Sequence, residues 1–173
     1  ARVKELGMDS AAITDHGVMY GVIDFYRAAK AAGINPILGC EVYVAPGSRF
    51  DREIGSGDDR YYHLVLLAEN NQGYQNLMKI VSKSFKEGFY YKPRVDLELL
   101  REYHEGLIAL SACLAGEVSR YLMKGLYDEA KKAALEYRDI FGKDHFYLEL
   151  QDHGMPEQKM VNQGLLRLSQ DTG

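Results

Sequence analysis

The residues best equipped for chemistry fall at the ends of apolar runs. In SAAITDHG, residues 10–17, a run of strand length stops on Thr14, Asp15 and His16 before Gly17. Imidazole is the commonest metal ligand and a nearby carboxylate fixes its tautomer, so an Asp–His pair at a strand end suits a metal site. The plainer reading is a turn in which Asp15 caps backbone amides and His16 is incidental, and the triplet alone favours it. Glu41 shifts the balance, because it lies inside the apolar run NPILGCEVYVA, residues 35–45, where a carboxylate is costly unless paired or bound to a cation. The alternative there is a salt bridge to a lysine or arginine. Cys40 must face away from Glu41, since side chains alternate along a strand, and reads as core. Cys113 follows GLIALSA, residues 106–112, as a candidate ligand or as a small buried hydrophobe. Asp152 and His153 close the run ELQDHG. His63 opens its run instead of ending it, which weighs against a ligand, and His104 and His145 sit in polar links and read as solvated. A mixed set of His, Glu, Cys and Asp suits zinc, or manganese and iron where oxygen ligands dominate.

Positioning these side chains falls to strands at residues 10–14, 35–45, 61–68, 106–112 and 146–151. Between them, Val22, Phe25, Tyr26 and Ala29 recur at helical spacing, and Gly33 ends that helix. Leu77, Ile80, Val81 and Ser84 give a second helix its apolar face before Gly88. Asp96 caps a short helix through Tyr103, Gly125 divides helices at 117–124 and 128–141, and Pro156 opens a last one running towards Ser169. Ala11, Ala12 and Ile13 carry no polar alternation, as in a strand covered on both faces. Residues 47–60, rich in Gly, Ser and Asp, read as a mobile loop, and FYYKPRV, residues 89–95, as an irregular aromatic and basic link. Alternating strands and helices predict an α/β fold of parallel strands with helical crossovers, either a doubly wound sheet or a β/α barrel. The carboxyl ends of parallel strands are where such folds bind ligands.

Composition sets the frame: 173 residues, 46% hydrophobic and 27% charged, fit one globular domain with a substantial core. A net charge of −4 argues against a free-standing nucleic-acid binder, which needs a basic face. No apolar stretch reaches membrane-span length and no leader opens the chain, so a cytoplasmic location is the default. Two cysteines are too few for a disulfide framework and read as core residues or ligands. The opening ARVKELG reads as the last turns of a helix closed by Gly7, with its beginning expected upstream.

The blocks ITDHG, GCEVYVAP, YHLVLLAEN, GYQNLMKIVSKSF, EGFYYKPRVD, GLIALSACLAGE and ELQDHGMPEQ, taken in order, resemble the polymerase and histidinol phosphatase (PHP) domain that opens the alpha subunit of bacterial replicative DNA polymerase III. The resemblance spans the chain as a single partial PHP domain, residues 1–173. It implies a distorted seven-stranded parallel β/α barrel holding up to three divalent metal ions. Carried over, the metal ligands are His16, Glu41, His63 and Cys113, with Asp15 in support, and Asp15, His16 and Glu41 are the candidate catalytic residues. The resemblance thus restores His63, which spacing had left in doubt. The family's opening His-x-His strand is expected before Ala1 and its closing Asp-x-His strand beyond Gly173, leaving a weakly metallated, inactive piece.

For the parent chain the resemblance implies a metal-dependent phosphodiesterase with 3′→5′ exonuclease, proofreading capacity, in a chain whose partners are its own polymerase domains, DNA and other replisome subunits. The competing expectations are a structural module without turnover and a stand-alone phosphatase of small phosphomonoesters. Phe89, Tyr90, Tyr91, Lys92 and Arg94 are expected to pack the domain against its polymerase neighbour in preference to binding single-stranded DNA.

Overall fold

The computed structural model describes residues 1–52 and 60–173; most of the 47–60 stretch, at residues 53–59, lies outside the described residues. Helix α1 (Arg2–Glu5) leads to β1 (Ser10–Ile13), α2 (Val22–Ala31) and the long β2 (Asn35–Val44). Then follow β3 (Tyr62–Ala68), α3 (Asn71–Lys86), a hairpin of β4 (Phe89–Tyr90) and β5 (Lys92–Val95), and α4 (Leu97–Tyr103). The chain continues through β6 (Leu107–Leu110), α5 (Glu117–Met123), α6 (Tyr127–Phe141), a 3₁₀ turn (Lys143–His145), β7 (Phe146–Tyr147) and α7 (Pro156–Thr172).

Local signals in the sequence account for most boundaries. Asn70 caps α3 by accepting from the Gly73 amide, and Asp96 caps α4 by accepting from the Leu99 amide. Gly33, Gly125 and Gly142 stop helices with positive φ of 67°, 72° and 99°.

The seven strands form one mixed sheet in the order β4-β5-β2-β3-β6-β7, with β1 beside the first half of β2. Strand β2 runs parallel to β1 and β5, and β6 runs parallel to β7. Strand β3 is antiparallel to both β2 and β6, which corrects the all-parallel expectation. The physical reason lies in the β2–β3 connection: a parallel return needs a crossover, usually helical, and among the described residues of this connection there is no α-helix, while β3 comes back beside β2 in the opposite sense. Residues 89–95, expected as an irregular link, form the β4–β5 hairpin through Tyr91 at φ 61°. Only Phe146–Tyr147 of the run 146–151 pairs in the sheet. Strand β1 is only half-buried, with Ala12 exposed, since β2 is its sole strand partner among the described residues. Barrel closure is not seen: the sheet path is open between β4 and β7.

One face of β2 and β3, carrying Cys40, Val42, Val44, Leu64 and Leu66, is fully buried against Leu77 and Ile80 of α3, Leu99 and Leu100 of α4, and Ala130, Ala133 and Ala134 of α6. The opposite face carries Glu41, Tyr43 and His63. Strands β2 and β3 therefore divide the molecule into a packed side and a side left for polar groups.

Candidate metal centre

Two extensions of the sheet assemble the site. Past β1 the backbone stays in register with β2: the Glu41 amide donates to the Asp15 carbonyl at 3.0 Å, and the Gly17 amide to the Glu41 carbonyl at 2.8 Å. His16 is thereby set beside Glu41. Gly17 has φ 70°, and a Cβ there would come within 2.7 Å of the Tyr43 ring, so the turn that presents His16 requires glycine. On the other flank the His63 amide donates to the Ala115 carbonyl at 3.1 Å, drawing the loop after β6 against the start of β3. A Cβ on Gly116 would collide with the Ser111 carbonyl oxygen, so that loop also depends on glycine.

The antiparallel course of β3 decides the role of His63. Its first residues lie level with the carboxyl end of β2, with His63 opposite Tyr43 and Val65 opposite Glu41. Opening a strand is thus the right place for a ligand here. His16 Nδ1 and His63 Nδ1 each lie 2.8 Å from Glu41 Oε1, and Cys113 Sγ lies 3.4 Å from His63 Nδ1. Four segments bring His16, Glu41, His63 and Cys113 into one cluster. Tyr43 meets the His63 ring edge-on at 5.4 Å, and Tyr61 stacks on it at 6.0 Å with 3° between planes.

The electrostatics follow from this packing. Burial, the largest influence on Glu41, disfavours its charge, but the His63 contact and the two imidazoles outweigh it and hold the carboxyl below its ordinary value. His63 is raised to about 9 by Cys113 first and Glu41 second, against its own burial. Burial pushes the Cys113 thiol up, but His63 and the Ala115 amide, 3.4 Å from Sγ, together bring it below its ordinary value. The thiolate is the form that binds metal. Cys40 is pushed up to about 12, chiefly by burial, and donates to the Asp15 carbonyl at 3.3 Å on the packed side of the sheet.

Glu41 Oε1 carries a second signal. Both imidazole nitrogens are close, yet neither contact has hydrogen-bond alignment, and the oxygen is buried without a hydrogen-bond partner. A buried oxygen flanked by two imidazoles, one of which meets a thiol, suits a cation in chemical type. The spacing is contracted, since a tetrahedral ion with bonds of about 2.0–2.1 Å separates its ligands by roughly 3.3 Å. Among the described residues no group of three or more His, Cys, Asp and Glu side chains is arranged as a metal cage.

The remaining candidates lie elsewhere. The Asp15 carboxylate accepts from the Gly21 amide at 3.0 Å and so fixes the turn into α2. Asp152 accepts from the Gly154 amide, and His153 is held by Gln158 through its amide at 2.7 Å and its Nδ1 at 2.9 Å, so both serve the turn into α7. His145 pairs with Glu69 at 3.2 Å on the surface, and the His104 ring meets the Arg101 carbonyl at 2.8 Å. Sequence reasoning passed over Glu149, whose Oε2 is buried without a partner and which lines a small cavity with Cys113, Ser119 and Gln158. Its alternation with Leu148 and Leu150 was the available signal. Ala112, at φ 61°, is a second omission: a non-glycine residue in the left-handed region immediately before Cys113.

A family model described as "PHP domain" matches residues 1–153. The chain belongs to the PHP domain family. It is 51% identical over 166 residues to DNA polymerase III subunit alpha of Treponema pallidum, covering 96% of this chain and 14% of that protein. The same subunit of Thermus aquaticus is 49% identical over 163 residues, covering 94% of this chain and 13% of that one. That of Borreliella burgdorferi is 44% identical over 173 residues, covering all of this chain and 15% of the relative. This PHP chain therefore spans about one seventh of the curated relatives it matches.

Proposed function

We propose that this PHP domain belongs to the alpha subunit of a bacterial replicative DNA polymerase and is a metal-dependent phosphodiesterase that removes nucleotides in the 3′→5′ direction. The observation that supports it is the convergence of His16, Glu41, His63 and Cys113 from four separate segments around the buried Glu41 Oε1. These four side chains would hold a divalent ion, zinc by the thiol and imidazoles, or manganese or iron where further oxygen ligands join. Bound there, such an ion supplies a nucleophilic water with a pKa near about 7 and neutralises phosphate charge. The chain's own residues supply the rest. Glu41 sets its charge between the two imidazoles, Asp15 holds the turn that follows His16, and the His63 contact lowers the Cys113 thiol towards its ligand form. Polymerase domains of the same chain are the natural partners, and DNA reaches the domain through them.

A second reading, a structural module without turnover, is supported by the contracted spacing of the cluster and the absence of a metal cage among the described residues. The decisive comparison uses the full-length chain and its Glu41→Ala variant, scoring zinc and manganese content and hydrolysis of a 3′-terminal phosphodiester with added manganese. The hydrolytic reading requires metal and turnover in the parent and loss of both in Glu41→Ala. Bound metal without turnover establishes the structural module, and equal metal content in the two proteins refutes the ligand set.

A further inference from the structure

Tyr43 follows Glu41 by two residues on β2, so its side chain stands on the same face of the sheet as the candidate metal centre. It is 6% exposed and packs on both segments that carry an imidazole. Across the strand pair Tyr43 lies opposite His63, and the two rings meet edge-on at 5.4 Å with 71° between planes. Tyr61 completes a triangle of rings, 4.9 Å from Tyr43 at 69° and 6.0 Å from His63 at 3°. Edge-on and offset parallel contacts at roughly 4.5–7 Å are the arrangements that aromatic quadrupoles favour. An imidazole stacked on one ring and met at a right angle by another has its plane fixed. That plane decides whether His63 Nδ1 points at Glu41 Oε1, 2.8 Å away.

The same ring reaches the other imidazole through the backbone. A Cβ on Gly17 would meet Tyr43 Cε2 at 2.7 Å and Pro93 Cγ at 3.2 Å, so both side chains pack on the turn directly after His16. Lys92 Nζ stands over the Tyr43 ring at 5.5 Å, so β5 braces the ring in place. Held this way, the His16 and His63 rings stand 6.3 Å apart at 76°. We propose that Tyr43, supported by Tyr61, is a positioning residue of the candidate metal centre. Its ring sets the plane of the His63 imidazole and the turn after His16 together, and so fixes how the two imidazoles face Glu41. Tyr43 acts through the two histidines and is not itself a ligand. The proposal rests on the metal-binding reading above and names the group that orients its ligands.

The test compares the full-length chain with its Tyr43→Phe, Tyr43→Leu and Tyr61→Leu variants. Zinc affinity is read by competition with a chelator, and ligand geometry by the absorption spectrum of the cobalt(II)-loaded protein. In the chelated protein, labelling of His63 by diethyl pyrocarbonate is followed by mass spectrometry, with His145 on the surface as internal reference. Tyr43→Phe keeps the ring and should match the parent in all three. Tyr43→Leu keeps apolar bulk without the ring, so it should weaken zinc about tenfold or more, as on loss of a group that orients a metal ligand. It should also shift the cobalt spectrum and raise labelling of His63 but not of His145. Tyr61→Leu should shift the spectrum in the same sense with a smaller loss of zinc. Parental zinc affinity and cobalt spectrum in Tyr43→Leu overturn the proposal. A loss in Tyr43→Phe as large as in Tyr43→Leu assigns the effect to the hydroxyl and overturns the role of the ring. Equal rises at His63 and His145 in Tyr43→Leu mark general unfolding, and Tyr61→Leu then decides, since parental behaviour there overturns the proposal. A parent that takes up no zinc refutes the metal reading. In that case selective labelling of His63 in Tyr43→Leu upholds the hold of the ring on the imidazole, and unchanged labelling overturns it.

Discussion

Glu41 occupies a position where an unpaired carboxylate would be costly, and the two imidazoles at 2.8 Å are its compensation. The His63–Cys113 contact gives the metal-free protein a pH signature. The folded pKa of His63, about 9, stands above the ordinary 6.5 of an unfolded histidine. Its stabilising effect is therefore complete below pH 6.5 and is lost as pH rises through about 9. In the presence of a chelator, the thermal midpoint should fall across that window, and His63→Gln should flatten the fall. An unchanged slope in the variant would show that the pair contributes nothing to folding. Ala112 makes the complementary point about strain. Its left-handed backbone aims Cys113 at His63, so Ala112→Gly should stabilise the protein by up to about 1 kcal/mol and Ala112→Val should destabilise it, as read by chemical denaturation.

At the scale of elements, the β4–β5 hairpin separates into an outer and an inner half. Phe89, Tyr91 and Lys92 are exposed, as an interface needs. Arg94 corrects the expectation that it belongs with them, since it is fully buried and donates to the carbonyls of Gly88, Arg49 and Asp51. The guanidinium ties the segment after β2 to the hairpin because several carbonyls without strand partners converge there. Arg94→Lys cannot span them and should destabilise by about 2 kcal/mol, whereas Lys92→Ala should change stability by less than about 0.5 kcal/mol. Comparable losses in a urea titration would refute this division. Helix α5 holds a different tension. Glu117 is raised above its ordinary carboxyl value by burial first, although the Tyr137 hydroxyl donates to it at 2.8 Å. A raised folded pKa favours the neutral form, so stability is complete below pH 4.5 and declines as the group ionises. Glu117→Gln should raise the thermal midpoint at pH 7, and the gain should vanish below pH 4.5. A gain independent of pH would point to some cause other than charge burial.

For the whole molecule, the four clustered side chains join β1, β2, β3 and the loop after β6, segments that begin at Ser10 and end past Leu110. A ligand that binds only the folded arrangement stabilises it by mass action, about 2.7 kcal/mol at a hundredfold excess over its dissociation constant. Manganese or zinc should raise the thermal midpoint of the full-length chain, chelation should reverse the rise, and Glu41→Gln should abolish the response. A response retained in Glu41→Gln would place the ion at another site. Among the described residues no helix is long and apolar enough to cross a membrane.

The sequence by itself determined most element boundaries and the candidate ligand types. Caps at Asn70 and Asp96, glycine stops at Gly33 and Gly125, and apolar runs of strand length act through neighbours within a few residues, so they are legible without a fold. Family blocks named His16, Glu41, His63 and Cys113, and alternation alone assigned Cys40 to the core. Tertiary structure decided strand direction and the company each side chain keeps. The family blocks pointed to His63, but its place at the start of a strand found a physical reason only in the antiparallel course of β3, since direction turns the start of one strand into the end of its neighbour. Asp15 turned to the Gly21 amide in the turn that follows it, and Arg94 turned inward because the carbonyls of Arg49 and Asp51, set there by a segment far away in sequence, required donors. Such demands come from the closed geometry of the fold, where pairing across long sequence separations fixes which groups are buried together.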